Sequence, residues 1–393
     1  MKKILLSLMT LVSLTASAQF GGFGGRSQGN PWVPSEAAIS EDFKPALSNQ
    51  DSKQYPMVNS ARQVRAQISA PEATKVGLDI AGKIYTMTKD ENGVWTGTSA
   101  PQDPGFHYYQ LNIDGASVPD PTSLYYYGAS RWGSGIEVPS DDQDFWQVKN
   151  VPQGTMSEVF YYSSYTEQMR RCFVYLPNEY YTNPTKKFPV LYLQHGMGEN
   201  EYSWPYQGHT AQIMDNLIAE KKAVPCIVVM DNGLSARKAG AQQGGFGGFG
   251  GFGGGGFAED FKQVLFNDIM PMVEKNYRVI ADPEHRAYAG LSMGGMQARE
   301  VTLANPGKFA YVGSFSSGAW SVDQVKNSEG FAQKTKLLFM SGGGKENMGC
   351  VEAAKNIKEQ LGMNAVGYES PGTAHEFHTW RRSLYEFAQL LFK

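Results

Sequence analysis

The segment RAYAGLSMGGMQARE, residues 286–300, contains Gly290-Leu291-Ser292-Met293-Gly294, a G-x-S-x-G. A strand pattern precedes it and a helix pattern follows, which is the context a nucleophile elbow requires. The flanking glycines permit a tight turn that exposes the serine oxygen above a sheet. The backbone N–H of Met293 then points to where an oxyanion would form. A bare G-x-S-x-G recurs by chance, and the bland reading is an ordinary strand–turn–helix; the flanking patterns and the extra Gly295 favour the elbow.

A serine hydroxyl is a poor nucleophile without a base. On a strand–elbow–helix scaffold the chain order is serine, acid, histidine. Two histidines follow Ser292, His375 and His378, both in PGTAHEFHTW. His375 comes directly after a strand-like run and a Pro-Gly turn, so it is expected on a loop above the sheet and is the preferred base. His378 is expected within the last helix. A second oxyanion donor is expected from YLQHGMGENEYSW, residues 192–204, where the N–H of Met197 is the candidate. His195 precedes the serine in the chain and is read as shaping this loop.

These groups need a scaffold, and the chain patterns one. FPVLYLQHG and VPCIVVM are continuous apolar runs of the kind buried on both faces of a parallel sheet. EVFYYSS, RRCFVYLP, RAYAGLS, AYVGSFS, KLLFMSG and NAVGYES continue the series. Helix-like segments at 209–221, 258–276, 294–305, 350–361 and 376–392 lie between or after them. The alternation predicts an α/β domain over 155–393 with a mainly parallel sheet, and Pro271 should kink or shorten the second helix. Residues 61–148 read instead as short alternating runs broken by turn signals, an all-β sandwich. Residues 19–60 look like a leader or linker.

The 393 residues carry a net charge of -3, and no stretch concentrates lysine and arginine. Neither a nucleic-acid nor an anionic-membrane partner is indicated. Residues 1–18, with Lys2 and Lys3 before an apolar run and an Ala16-Ser17-Ala18 site, read as a cleaved signal peptide, so the chain is expected to be secreted or periplasmic. Of three cysteines, Cys226 lies in an apolar run; a pairing of Cys350 with Cys172 or Cys226 stays open. No cofactor or metal is called for. Residues 240–257, GAQQGGFGGFGGFGGGGF, fit no core pattern. They read either as a flexible insertion or as a lid carrying Phe246, Phe249 and Phe252.

The HGMGENEYSW loop, the EHRAYAGLSMGG elbow, FAYVGSFSSG and the HEFHTWRRSLYEFAQLLF ending, in that order, resemble carbohydrate esterase family 1, the bacterial feruloyl and acetylxylan esterases with the α/β-hydrolase fold. The β-rich region is similar to immunoglobulin-like E-set modules of the family 48 carbohydrate-binding type. The resemblance implies Ser292 as nucleophile, His375 as base, and Met197 with Met293 as oxyanion donors. It places the acid after the strand before the last, usually as Asp in Gly-x-x-Asp. In LLFMSGGGKENMGC, residues 337–350, that position holds Asn347. The preferred acid is Glu346, one residue earlier, since Glu is accepted in such triads. Asn347 holding His375 by a neutral bond, or a carboxylate such as Glu352 or Asp323 reaching in, remain open.

The resemblance also implies a substrate of feruloylated or acetylated xylan in the plant cell wall, with ferulate preferred. Trp204 and Trp320 are candidate contacts for an aromatic acyl group, or else loop packing. Trp95, Tyr108, Tyr109, Tyr125, Tyr126, Tyr127 and Trp132 could form a sugar-stacking platform or pack against the esterase domain. Because the acid position is irregular, a glycan-binding hydrolase-fold protein without turnover is the non-enzyme alternative.

Overall fold

The computed structural model describes residues 29–234 and 256–393. The expected signal peptide and Phe246, Phe249 and Phe252 lie outside the described residues. Among these residues no helix is long and apolar enough to cross a membrane.

From residue 155 onward the chain forms one eight-stranded sheet. Its strands are β1 (Thr155–Ser163), β2 (Gln168–Leu176), β3 (Val190–Gln194), β4 (Ile227–Asp231), β5 (Arg286–Leu291), β6 (Tyr311–Phe315), β7 (Leu337–Gly343) and β8 (Ala365–Ser370). They lie in the order β1-β2-β4-β3-β5-β6-β7-β8. The β1–β2 and β2–β4 pairs are antiparallel and the rest parallel. Every residue of β3, β4, β6 and β7 is buried, which is why these segments are almost continuously apolar.

Helices α1 (Thr210–Ala219), α2 (Gly256–Val264), α3 (Met293–Ala304), α4 (Cys350–Leu361) and α5 (Phe377–Ala388) cover the sheet. One apolar cluster contains Val264, Val301 and Ile357; another contains Leu217, Leu384 and Phe387. Chain order reverses around β3, so β4 and β5 flank it and a crevice opens beyond their carboxyl ends. The helix expected to be kinked or shortened by Pro271 runs on to Asn276, with an irregular turn ahead of the proline. Pro271 cannot donate to the carbonyl four residues back, and the helix passes through a wide π turn at Leu265–Ile269 before continuing over Met270–Asn276. Cys172, Cys226 and Cys350 are buried free thiols, so neither open pairing forms.

Ahead of this domain two β-sheets pack face to face around Val64, Val76, Leu78, Leu111 and Ile136. Three short strands, Trp32–Pro34, Lys44–Pro45 and Met57–Val58, lie where a leader was expected. Trp32–Pro34 pairs in parallel with Lys83–Thr86, so these residues belong to the β-rich part. Phe106, Tyr126 and Trp146 from this part enter the core of the α/β domain. Trp95 and Tyr109 are buried too, Tyr108 and Tyr127 are half-buried, and Tyr125 and Trp132 are exposed. Most of the proposed platform is therefore packing.

Candidate active site

Ser292 sits between β5 and α3 with φ 49° and ψ -114°, a backbone state few non-glycine residues adopt. The turn is tight enough to require its glycines. A Cβ on Gly290 would meet the Gly294 carbonyl oxygen at 2.6 Å. A Cβ on Gly294 would meet the His195 and Gln194 carbonyl oxygens at 2.5 and 2.7 Å. The start of α3 thus presses against the end of β3, and the loop after β3 is brought to the serine. Met293 opens α3, and the first N–H groups of a helix have no acceptor within it. A Cβ on Gly196, next to Met197, would lie 3.3 Å from the Ser292 Cβ. Both candidate oxyanion residues therefore belong to segments that border Ser292.

The His375 Nε2 lies 2.9 Å from the Ser292 Oγ, and its Nδ1 lies 2.7 Å from Glu346 Oε1. An ionised carboxylate only accepts, so Nδ1 carries the proton and Nε2 is left to accept the serine proton. The His375 ring meets Trp380 edge-on at 5.1 Å between centroids. Glu346 ends a short 3-10 turn, Gly344–Glu346, that continues directly from β7. Its Oε2 accepts from the Ser316 Oγ at 2.6 Å and the Gly343 N–H at 2.7 Å. Burial would raise its pKa, but bonds from His375, Ser316 and Gly343 outweigh that and lower it, keeping the group ionised.

The other acid readings do not fit. Asn347 is exposed in the left-handed region at φ 53°. Glu352 and Asp323 are exposed on helices, and Glu352 accepts from Asn356. His378 lies inside α5, and burial pushes its pKa down to about 4.

His195 shapes the loop after β3, as expected. Burial lowers its pKa to about 4, so it is neutral. Its Nδ1 donates to the Gly196 carbonyl at 2.7 Å and its Nε2 accepts from the Gly233 N–H at 3.1 Å.

Trp204 and Trp320 require a correction. Each is 1% exposed. Trp204 donates its Nε1–H to the Gln194 carbonyl and packs on Phe315 and Phe377, and Trp320 packs on Phe331. Neither ring has an open face for an acyl group. Ser316 was missed: the segment FAYVGSFSSG contained it, but a contact spanning 30 residues leaves no local signal. Among the described residues no group of three or more His, Cys, Asp or Glu is placed to hold a metal ion.

The strand order, the strained elbow and the aligned serine, histidine and carboxylate define an α/β-hydrolase fold with a Ser–His–Glu site. The comparisons with known proteins are specific. The Esterase family model matches residues 163–390, and the chain belongs to that family. It is 44% identical over 361 residues to an endo-1,4-beta-xylanase/feruloyl esterase of Xylanibacter ruminicola, a match covering 90% of this chain and 48% of that protein. The chain thus spans about half the length of that relative. Endo-1,4-beta-xylanase Y of Acetivibrio thermocellus is 27% identical over 43% of this chain and 16% of its own. Among solved structures, the CE1 ferulic acid esterase of Anaeromyces mucronatus matches with a TM-score of 0.53 at 22% identity, covering 64% of this chain and 96% of its own. The enterobactin esterase of Shigella flexneri matches with a TM-score of 0.58 at 15% identity, covering 84% and 92%. These two likenesses establish the fold.

Proposed function

We propose that this chain is a secreted serine esterase that releases ferulate from plant cell-wall arabinoxylan. The observation that carries the mechanism is the hydrogen-bonded line from Ser292 through His375 to Glu346. The feruloyl specificity is supported by the 44% identity to a xylanase/feruloyl esterase. Secretion rests on the basic and apolar start of the chain.

Ser292 Oγ attacks the ester carbonyl as His375 Nε2 takes its proton. Glu346 holds the imidazole in the needed tautomer and stabilises the cation that forms. The N–H groups of Met293 and Met197 stabilise the tetrahedral oxyanion. His375 then returns the proton to the departing sugar hydroxyl, leaving a feruloyl-Ser292 ester. Water, activated by the same histidine, releases ferulate.

The test is ferulate and acetate release from destarched arabinoxylan, read side by side against Ser292→Ala. Ferulate release lost in the variant is expected. Acetate alone would replace ferulate with acetyl as the acyl group, and neither product from folded protein would return the chain to the glycan-binding reading.

A further inference from the structure

Behind the serine lies an acidic side chain that the proposed mechanism does not use. Glu199, in the loop after β3, is 1% exposed. Its Oε2 accepts from the Gly196 N–H at 3.0 Å, and its own N–H donates to the Gly196 carbonyl at 3.4 Å. Its Oε1 is buried and has no hydrogen-bond partner among the described residues. Gly196 is wedged between this carboxyl and the nucleophile. A Cβ on it would stand 3.3 Å from the Ser292 Cβ and 3.4 Å from Glu199 Oε2.

Among the described residues no cation is paired with Glu199. On its own loop, His195 is neutral and bound to Gly196 and Gly233, and Glu201 is paired with Arg171. From the β-rich part Tyr108 interacts with it, a phenol kept protonated by burial and held by Gln207. On the elbow side stand Ser292 and, bonded to it, His375. Leaving a buried anion unpaired is expensive, so such a group holds its proton. Accordingly, burial pushes the Glu199 pKa up to about 8, with the Gly196 N–H opposing only part of the rise.

We propose that Glu199 is a positioning residue that fixes the oxyanion loop as a neutral carboxylic acid, and that losing its proton shuts the site. This rests on the Ser292 esterase reading. The physical reason is the sign of the charge. The transition state places negative charge on the acyl oxygen, in a pocket where fixed dipoles act with little screening. A carboxylate behind Gly196 adds a second negative charge within the same loop and repels it. A neutral acid keeps the bond to Gly196 without that penalty.

The test compares Glu199→Gln with the wild type, measuring kcat and KM on a soluble aryl ester across pH, with Ser292→Ala as blank. The glutamine keeps an oxygen for the Gly196 N–H and cannot ionise. The expected result is kcat within about threefold of wild type at neutral pH by this near-isosteric replacement. The wild type loses kcat with a midpoint near the Glu199 pKa of about 8 while the variant does not. KM moves little in both. Glu199→Ala, which removes the anchor, should lower kcat about tenfold or more, because the loop loses a hydrogen bond beside the nucleophile. Superimposable alkaline profiles for wild type and Glu199→Gln would overturn the proposal. Activity persisting in Ser292→Ala would instead overturn the esterase reading on which it rests.

Stability gives a second readout. The folded acid keeps its proton to higher pH than the unfolded chain, so wild type should lose stability relative to the glutamine variant as pH rises from about 4.5 to about 8. Should Glu199→Gln fail to fold, infrared spectroscopy of the wild type decides. A protonated-carboxyl band that persists at neutral pH and vanishes together with activity supports the proposal, and no such band contradicts it.

Discussion

Glu346 occupies a position one residue short of the aspartate expected from related sequences, and it still meets His375 at 2.7 Å. The extra methylene of glutamate and the 3-10 turn after β7 together cover the missing residue. Glu346→Gln should therefore lower kcat by about 10⁴ with little change in melting temperature, since the amide favours the wrong imidazole tautomer; full activity in that variant would remove Glu346 from the mechanism. Ser292 and His375 were legible in the sequence because an elbow is a local spacing and a Pro-Gly turn marks the histidine loop. Ser316 was not, because its bond to Glu346 joins residues 30 apart. Trp204 and Trp320 were misjudged because a tryptophan in a loop string does not disclose which way it points. Both turn into the core.

At the scale of elements, the elbow works because α3 starts against the end of β3. Gly294 is the point of contact, with the His195 and Gln194 carbonyls 2.5 and 2.7 Å from where a Cβ would sit. Gly294→Ala must push the first turn of α3 away from that strand, separating the Met293 N–H from the Met197 loop. A displacement near 1 Å at an active site costs roughly 10²-fold in rate. Steady-state kinetics on a soluble ester should show that loss in kcat with protein that still folds, and unchanged kcat would refute the contact's importance. All eight strands of the large sheet were readable as β-type runs; in β3, β4, β6 and β7 the runs are continuously apolar because burial on both faces demands it, while β1 and β8 are partly exposed. The strands at Lys44–Pro45 and Met57–Val58 were not, because two residues cannot display a period.

At the scale of the whole molecule, a buried ion pair joins its two parts beside the shared apolar packing of Phe106, Tyr126 and Trp146. Glu137, in the last strand of the β-rich part, meets Arg381 of α5, with Nη1 to Oε2 at 3.0 Å and the second nitrogen on the other oxygen. Both side chains are nearly inaccessible. Burial alone would raise the Glu137 pKa, but Arg381 and the His209 hydrogen bond together outweigh it and lower the value to about 2. Its contribution is therefore fully present above about pH 4.5 and is lost as pH falls towards about 2. Glu137→Gln strands a buried guanidinium and should destabilise the protein by about 3–5 kcal/mol. Thermal melts at neutral pH should show it, and the gap to wild type should close on acidification; equal melting at neutral pH would contradict this account of the junction. Nothing in the sequence announced the pair, since its members lie 244 residues apart.

The central claim, that Ser292 carries the acyl group, is tested most directly by rapid-quench intact mass spectrometry with a feruloyl ester. The account predicts a transient gain of one feruloyl group, located to the peptide bearing Ser292 and absent in Ser292→Ala. Turnover that persists in Ser292→Ala, or an adduct on another residue, would contradict it.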